Sequence, residues 1–370
     1  MLLPGPEAQQ LATYLGYKLH GVKGALATGG LFILPGALVM FGLSWLAAAH
    51  GEWPPLQAVF RGLLPVVFAL VLHAVYRIGS RTLRTPTAWA MAVGALVGLL
   101  LGAPFPLIVV AALGIGAALG RAPGAIEHDP QAPDANVEAV KAGAHARRFV
   151  AHTLGFGLIG VAPIIAAIAL FGPEPFAEVA ALFGKSAFVT FGGAYAVLPY
   201  IAESAVEQYR WLTPDAMIHG LALAETTPGP LILVTQYVGF FAGWNAALAG
   251  HAGGLAPLGA AAVAAAITTW CTFVPSFYFV IAGAPLIETL THNRRIAAAL
   301  AGVTAAVVGV IASLCITIGE AAFLPAGRID GVALGLAAAA FILLVKFRLG
   351  PLWLVLIGAA AGLLRWLGGV

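Results

Sequence analysis

Charged residues are scarce in this chain. Asp, Glu, Lys and Arg make up 9% of its 370 residues, against roughly 25% in an average soluble domain. The only two cysteines, Cys271 and Cys315, lie in apolar runs without CxxC or metal-ligand spacing. The sequence also lacks the GxSxG, HExxH and Walker signatures of common enzymes. These absences disfavour a soluble globular protein, a disulfide framework and an intramembrane enzyme.

Apolar residues are abundant instead, at 61% of the chain. They form continuous runs rich in Ala, Leu, Gly and Val, of the length that a membrane-spanning helix of about 20 residues requires. Membrane β-strands would alternate polar and apolar positions over segments of about 10 residues. The sequence therefore predicts an all-α, polytopic integral membrane protein with about 11 to 12 membrane segments and Gly/Pro-broken helices.

The predicted segments follow the apolar runs. They lie near residues 7–19, 25–49, 58–76, 87–101, 106–119, 150–171, 177–201, 217–241, 255–287, 296–318, 331–345 and 351–366. Runs that Gly or Pro interrupts are candidates for broken helices or re-entrant hairpins. Residues 121–148 carry prolines and charges that a bilayer core would not accept, and they predict a polar cytoplasmic linker.

Positive charges mark one side of the predicted membrane. Lys and Arg collect in small groups between the spans: Lys18 and Lys23; Arg77, Arg81 and Arg84; residues 121–148; Arg294 and Arg295; Lys346 and Arg348. Placing all these groups in the cytoplasm lets the spans alternate consistently. The net charge of +3 is therefore interpreted as a topology signal, and no nucleic-acid partner is expected.

The chain contains an internal repeat whose matched motifs keep their order. The pairs are Pro4-Gly5-Pro6 with Pro228-Gly229-Pro230, residues 14–17 with 237–240, 34–36 with 274–276, and 104–120 with 349–364. We therefore predict a first repeat over 1–120, the linker over 121–148 and a second repeat over 149–370. An odd number of spans between the copies predicts an inverted arrangement, which is a transporter design with its site near the midplane.

The first copy begins close to its Pro-Gly-Pro motif, whereas the second copy has two further spans before the matching motif. We therefore expect the first repeat to be N-terminally incomplete, through truncation or a late start codon, and to lack a counterpart of residues 191–193. Whether this chain transports without those spans is left open.

The two glycine and proline motifs predict a substrate site. Adjacent glycines admit a close approach of ligand or backbone, and the prolines interrupt the ladder of amide donors. A helix that restarts after such a break presents free N–H groups and a positive dipole end, which favour an anion. The alternative is that both motifs are only packing notches and kinks.

Polar side chains near these motifs are the candidate ligands. Hydroxyl and amide candidates are Tyr195, Thr226, Thr227, Tyr237, Gln9, Gln10 and Gln236. Lys185 either supplies a positive charge or extends from the helix end to the membrane surface. Glu7 and Glu225 flank the Pro-Gly-Pro motifs and are candidates for proton coupling, the alternative being helix caps or paired carboxylates. His73 is interpreted as a packing residue.

At Phe191-Gly-Gly-Ala-Tyr-Ala-Val-Leu-Pro199 and Thr227-Pro-Gly-Pro230, together with residues 2–17, the chain resembles the chromate ion transporter family over nearly its whole length. Carried over, the functional residues are Phe191, Gly192, Gly193, Pro228, Gly229 and Pro230, with Pro4, Gly5 and Pro6 in the first half. The resemblance implies a secondary transporter that exports chromate across the inner (plasma) membrane and confers chromate resistance. The alternative is a transporter for another oxyanion, such as sulfate.

The resemblance also sets the expected partners. These are the chromate or sulfate oxyanion and the lipid bilayer, with a homodimer left open. No cofactor and no metal site are expected.

Overall fold

The computed structural model describes residues 5–119, 138–191, 193–291 and 294–368. All its long elements in these ranges are helices, which confirms the predicted all-α class. The α-helices are α1 (Glu7–His50), α2 (Pro54–Thr82), α3 (Pro86–Leu100), α4 (Phe105–Leu119), α5 (Glu138–Phe171), α6 (Phe176–Val189), α7 (Ala194–Glu203), α8 (Pro214–Thr226), α9 (Val234–Leu248), α10 (Pro257–Thr291), α11 (Arg294–Phe323), α12 (Gly331–Val345) and α13 (Pro351–Leu367).

Six helical stretches in the described part are long and apolar enough to cross a bilayer. They are Glu7–His50, Pro54–Thr82, Thr153–Phe171, Leu231–Leu248, Pro257–Gly283 and Arg295–Phe323. The prediction of a polytopic membrane protein is confirmed. The helix α5 begins at Glu138, inside the predicted linker over 121–148, so the end of that stretch is helical rather than a loop. Residues 120–137 lie outside the described part.

The helix α1 is a hairpin of two arms, residues 7–19 and 22–50. The chain reverses at His20 and Gly21, where Gly21 has a φ of 61°, a conformation that suits glycine. The Thr28 hydroxyl donates to the carbonyl of Ala12 across the hairpin at 2.8 Å. A side chain at Gly16 would collide with Thr28, so the small residue is what lets the arms approach.

The helices α9 and α10 form a second hairpin with the same close contact. A side chain at Gly239 would collide with the hydroxyl of Thr268 on α10. Gly239 occupies the place in Tyr-Val-Gly-Phe that Gly16 occupies in Tyr-Leu-Gly-Tyr, and Thr268 matches Thr28 in the repeat. The two hairpins therefore use equivalent residues at equivalent positions.

The short helices of each half pack against a long helix of the other half. The helices α3 and α4 pack against α11, whereas α12 and α13 pack against α2. Glycines make these contacts close: a methyl group at Gly302 would meet the carbonyl of Ala112, and one at Gly362 would meet the carbonyl of Ala58. Each half thus covers the long helix of the other, an arrangement that we interpret as the packing of two copies.

The segment from α8 to α9 is a hairpin with its tip at Pro228 and Gly229. The Asn245 side-chain amide, near the end of α9, donates to the carbonyl of Trp211, just before α8, at 2.7 Å. Midway along the two arms, Gly220 packs against the ring of Tyr237. We infer that the span predicted near 217–241 enters the membrane and returns to the same side, the re-entrant alternative that its prolines allowed.

The segment from α6 to α7 also returns to the side from which it enters. Burial, and then the nearby Glu178 carboxylate at the start of α6, raise the pKa of Tyr209, which follows α7. The π-helical turn Ser204–Gln208 joins α7 to this tyrosine. The two ends of the segment therefore lie together, and its tip lies at Phe191 and Gly193.

The hairpin of α1 and the hairpin of α9 and α10 turn at opposite ends of the molecule. Phe41 and Ala48, on the way to the end of α1, pack with Phe240, Trp244 and Ala261 near the turn between α9 and α10. The turn at His20 lies at the other end of the same α1 arm, which supports the predicted inversion. The end of the molecule at the His20 turn carries Lys18 and Lys23, and we call it the basic face. The opposite end carries Glu52 and Glu174, and we call it the acidic face.

Candidate functional site

The glycine and the second proline of the two Pro-Gly-Pro motifs share one backbone conformation. Gly5 has a φ of 126° and Gly229 has a φ of 130°. These values are unfavourable for any residue with a Cβ atom. The proline that follows is extended in both cases, at Pro6 and at Pro230. A helix then begins, so each motif creates a helix N-terminus inside the membrane segment.

Each Pro-Gly-Pro motif packs against the long helix of the other half. A methyl group on Gly5 would lie 3.3 Å from the hydroxyl oxygen of Ser276 on α10. Reciprocally, one on Gly36 of α1 would meet the carbonyl oxygen of Pro228. Gly36 and Ser276 are themselves matched positions of the repeat, and Gly36 is the midpoint of the second arm of α1. We infer that both motifs lie near the middle of the membrane layer.

The tip between α6 and α7 joins the same region. The backbone N–H of Gly5 donates to the carbonyl of Thr190 at 2.7 Å. Gly193 has a φ of 100°, and α7 begins immediately after it at Ala194. Phe191 is half-buried at this tip. The break between α6 and α7 is therefore in direct contact with the break that precedes α1.

Three helix N-termini converge here. They belong to α1 at Glu7, to α7 at Ala194, and to the 3-10 turn Leu231–Leu233 that leads into α9. This turn contacts both α1 and α7. Since the first N–H groups of a helix lack intrahelical acceptors, the region has several free donors and the positive ends of three helix dipoles. This is a suitable environment for an oxyanion.

Both candidate coupling carboxylates lie in this region. The Tyr195 hydroxyl at the start of α7 donates to Glu225 Oε1 at the end of α8. Glu7 is half-buried, and its Oε1 has no hydrogen-bond partner in the described part of the chain. One carboxylate is thus held by a tyrosine, while the other has an unused acceptor.

Arg77, which its sequence position predicts only as a marker of membrane topology, supplies a positive charge near the site. Its side chain is exposed, and its guanidinium lies within electrostatic range of both carboxylates, Glu7 and Glu225, and of Tyr195. The helix α2 that carries Arg77 packs against α8. Its position could not be read from spacing, because α2 approaches the site only through the tertiary packing.

Two predicted hydroxyl ligands are already engaged within their own helix. Thr226 and Thr227 both donate to the carbonyl of Leu223, at 2.6 and 2.9 Å. They satisfy the end of α8 where Pro228 and Pro230 stop the helix. In this arrangement neither proton is free for a substrate, although both residues lie at the tip of the hairpin.

The predicted amide ligands lie where the two halves meet. Gln9 Nε2 donates to Thr13 Oγ1 at 2.8 Å. Gln236 Nε2 donates to the carbonyl of Ala37 on α1 at 2.9 Å. The Oε1 atom of Gln236 is buried without a donor in the described residues. The amide of Gln10 lies beside Gly5.

The remaining predicted residues fall into three groups. Lys185 is exposed on α6, which favours the interpretation that it extends to the surface. Tyr237 is 1% exposed and packs against Gly220, and His73 is half-buried on α2. Pro4 and Gly192 lie outside the described residues.

Comparison with protein families gives a match to the family described as "Chromate transporter". It covers residues 1–118 and 177–363 of the chain. The gap between the matched regions contains the predicted linker, and each region contains one Pro-Gly-Pro motif.

The similar proteins are named as transporters. A chromate transport protein of Pseudomonas aeruginosa is 30% identical, with 99% of this chain and 80% of that protein covered. A probable chromate transport protein of Synechococcus elongatus is 27% identical, with 98% and 82% covered. A chromate transport protein of Cupriavidus metallidurans is 27% identical, with 97% and 79% covered. No solved structure matches the chain.

Proposed function

The chain belongs to the chromate transporter family, and from this premise we propose that it is a secondary transporter that exports chromate from the cytoplasm and confers chromate resistance. It is a multi-pass protein of the plasma membrane and a transporter rather than an enzyme. The observation that carries the proposal is the convergence of the N-termini of α1, α7 and α9 between the two halves. A dianion bound there meets amide donors from both halves.

Charge balance supports a dianion as substrate. The helix ends contribute partial positive charge, and the exposed Arg77 adds a positive charge that solvent partly screens. Glu7 and Glu225 oppose an anion when they are ionised. The proposed site therefore accommodates the substrate most readily when at least one carboxylate is protonated.

The contact between Tyr195 and Glu225 supplies a route for this coupling. While Glu225 is ionised, its carboxylate accepts the hydrogen bond that the Tyr195 hydroxyl donates. Protonation of Glu225 removes a negative charge and frees the Tyr195 hydroxyl to donate to an oxyanion. Proton and chromate then occupy the site together and move in the same direction.

The membrane potential favours export. An interior-negative potential contributes about 2.3 kcal/mol per elementary charge for each 100 mV. A chromate dianion that leaves with one proton still removes one net negative charge from the cytoplasm. Outward transport is therefore downhill electrically, although the proton gradient opposes it.

The test is chromate uptake by everted membrane vesicles, which corresponds to export from the cell. We expect uptake driven by a potential that is positive in the vesicle lumen, and loss of uptake in Gly193→Leu. The control is Gly335→Leu, because Gly335 on α12 is exposed and the first atom of a side chain there would enter open space. Equal uptake by Gly193→Leu at equal membrane abundance contradicts the site.

Substrate identity is tested in the same vesicles. Chromate and sulfate are tetrahedral dianions of similar shape. The backbone N–H groups at the helix N-termini alone therefore distinguish weakly between them. We expect chromate uptake to persist in the presence of equimolar sulfate or molybdate. Complete suppression by sulfate, with saturable sulfate uptake, would instead identify sulfate as the substrate.

A further inference from the structure

Ser276 lies on α10 where the N-terminus of α1 packs against it. The residue is 1% exposed, and its hydroxyl donates to Gln9 Oε1 at 2.6 Å. Gln9, in the first turn of α1, is 0% exposed. A buried serine on one half thus engages the side-chain amide of a candidate substrate ligand on the other half.

Within the described part of the chain, this contact leaves Gln9 with one unused donor. Its oxygen accepts from Ser276, and one of its two N–H bonds goes to Thr13 Oγ1 at 2.8 Å. A primary amide has a second N–H. A buried donor without an acceptor costs free energy, unless a ligand supplies the acceptor.

The spare donor belongs to the helix end that faces the substrate region. Gln9 lies two residues after Glu7, where α1 begins, so its amide is close to the free backbone N–H groups of the first turn. Gly5 lies beside Ser276 and donates its own N–H to Thr190. These contacts hold Gln9 next to the tip between α6 and α7.

We propose that Ser276 is a positioning residue that fixes the Gln9 amide, so that its second N–H donates to the oxyanion bound at the N-terminus of α1. The proposal rests on the proposed function of this site. Ser276 itself does not touch the substrate. It acts by determining where the Gln9 donor points.

The other half differs at the matched positions. The residue that corresponds to Ser276 is Gly36, which has no hydroxyl group. The nearby amide of Gln236 donates to the backbone carbonyl of Ala37 instead. Of these two matched positions, only Ser276 carries a positioning hydroxyl, and the first-half ligands are therefore expected to set the affinity for the oxyanion.

The test measures chromate uptake kinetics in vesicles that contain the full chain. We expect Ser276→Ala to raise the KM for chromate roughly tenfold, as for one lost buried hydrogen bond, with little change in Vmax. Ser276→Thr retains the hydroxyl and is expected to restore a KM near that of the wild type. Ser313→Ala is the matched control, because the buried Ser313 hydroxyl donates to Val310 within its own helix.

A double variant separates positioning from a general structural role. In a Gln9→Leu background, which already has a raised KM, Ser276→Ala is expected to change the KM no further. An equal additional rise in that background overturns the proposal, as does an unchanged KM in Ser276→Ala. Absence of chromate uptake by the wild type would instead refute the proposed function.

Discussion

The backbone N–H of Gly5 donates to the carbonyl of Thr190 at 2.7 Å, which joins the first Pro-Gly-Pro motif to the break after α6. The two residues belong to different halves of the chain. The proposed site is therefore composite, because a helix N-terminus from the first half completes a region that two re-entrant hairpins of the second half begin. Neither half supplies all three helix ends.

Substitution of Gly229 tests the shared backbone conformation. Its φ of 130° is unfavourable for a residue with a side chain, at a cost of roughly 1–2 kcal/mol. We expect Gly229→Ala to lower the Tm of the detergent-solubilised protein by a few degrees and to reduce transport more strongly. The comparison is Gly335→Ala on α12, where helix propensity predicts a slight gain in stability. A fully active Gly229→Ala protein contradicts the role of the break.

Arg77 is expected to contribute to anion affinity. We expect Arg77→Gln to raise the KM for chromate a few-fold, because it removes an exposed, partly screened positive charge within electrostatic range of Glu7 and Glu225. Arg81→Gln, one turn further along α2, is the matched control and should have a much smaller effect. Equal KM changes in the two variants would contradict a specific role of Arg77 in anion affinity and leave only its role in membrane topology.

The pair Tyr195 and Glu225 is expected to determine the pH dependence of transport. Glu225→Gln mimics the protonated carboxyl group and removes the titratable charge. We expect chromate uptake by this variant to be insensitive to pH and uncoupled from proton movement. Tyr195→Phe should retain the pH dependence with a raised KM. If uptake by Glu225→Gln follows the wild-type pH profile, Glu225 is not the proton-coupling group. Glu7 is then the next candidate.

A contact on the acidic face links stability to pH. Burial raises the pKa of Asp330, but the Arg365 guanidinium at 2.5 Å and the N–H groups of Ala333 and Val332 outweigh it and lower that pKa. A depressed carboxyl pKa stabilises the fold above the unfolded value near 3.9, and the contribution disappears as the pH falls through the folded pKa.

We therefore expect Arg365→Gln to lower the Tm by no more than a few degrees at pH 7, since exposed pairs contribute about 1 kcal/mol or less. The difference from the wild type should shrink as the pH falls below about 4. Lys346→Gln provides a control on the opposite face. A Tm difference that is constant from pH 7 to pH 3 would contradict the assignment.

The sequence was sufficient to predict the apolar helical segments and the two Pro-Gly-Pro breaks, because apolar runs and prolines act locally. It predicted single spans near 177–201 and 217–241, however, where the structure has two hairpins. It could not specify which breaks meet. The return of α9 to the start of α8 depends on contacts between residues that are distant in sequence, such as Asn245 with Trp211. Likewise, Arg77 and Ser276 enter the site through the packing of α2 and α10, and no periodicity indicates this.

The predicted threonine ligands Thr226 and Thr227 illustrate a related point. Threonines beside a helix break were expected to serve a substrate, but Thr226 and Thr227 have a backbone acceptor one turn earlier at Leu223. A local acceptor is always within reach of such residues in a helix. Composition therefore overestimates the number of free donors at a broken helix.

The most direct measurement is an experimental structure of the full chain with chromate bound, in which anomalous scattering locates the chromium atom. We expect a single strong chromium peak between the N-termini of α1, α7 and α9, within hydrogen-bond reach of their first-turn N–H groups. A peak elsewhere, or the two Pro-Gly-Pro motifs lying apart and facing lipid, would contradict the proposed site.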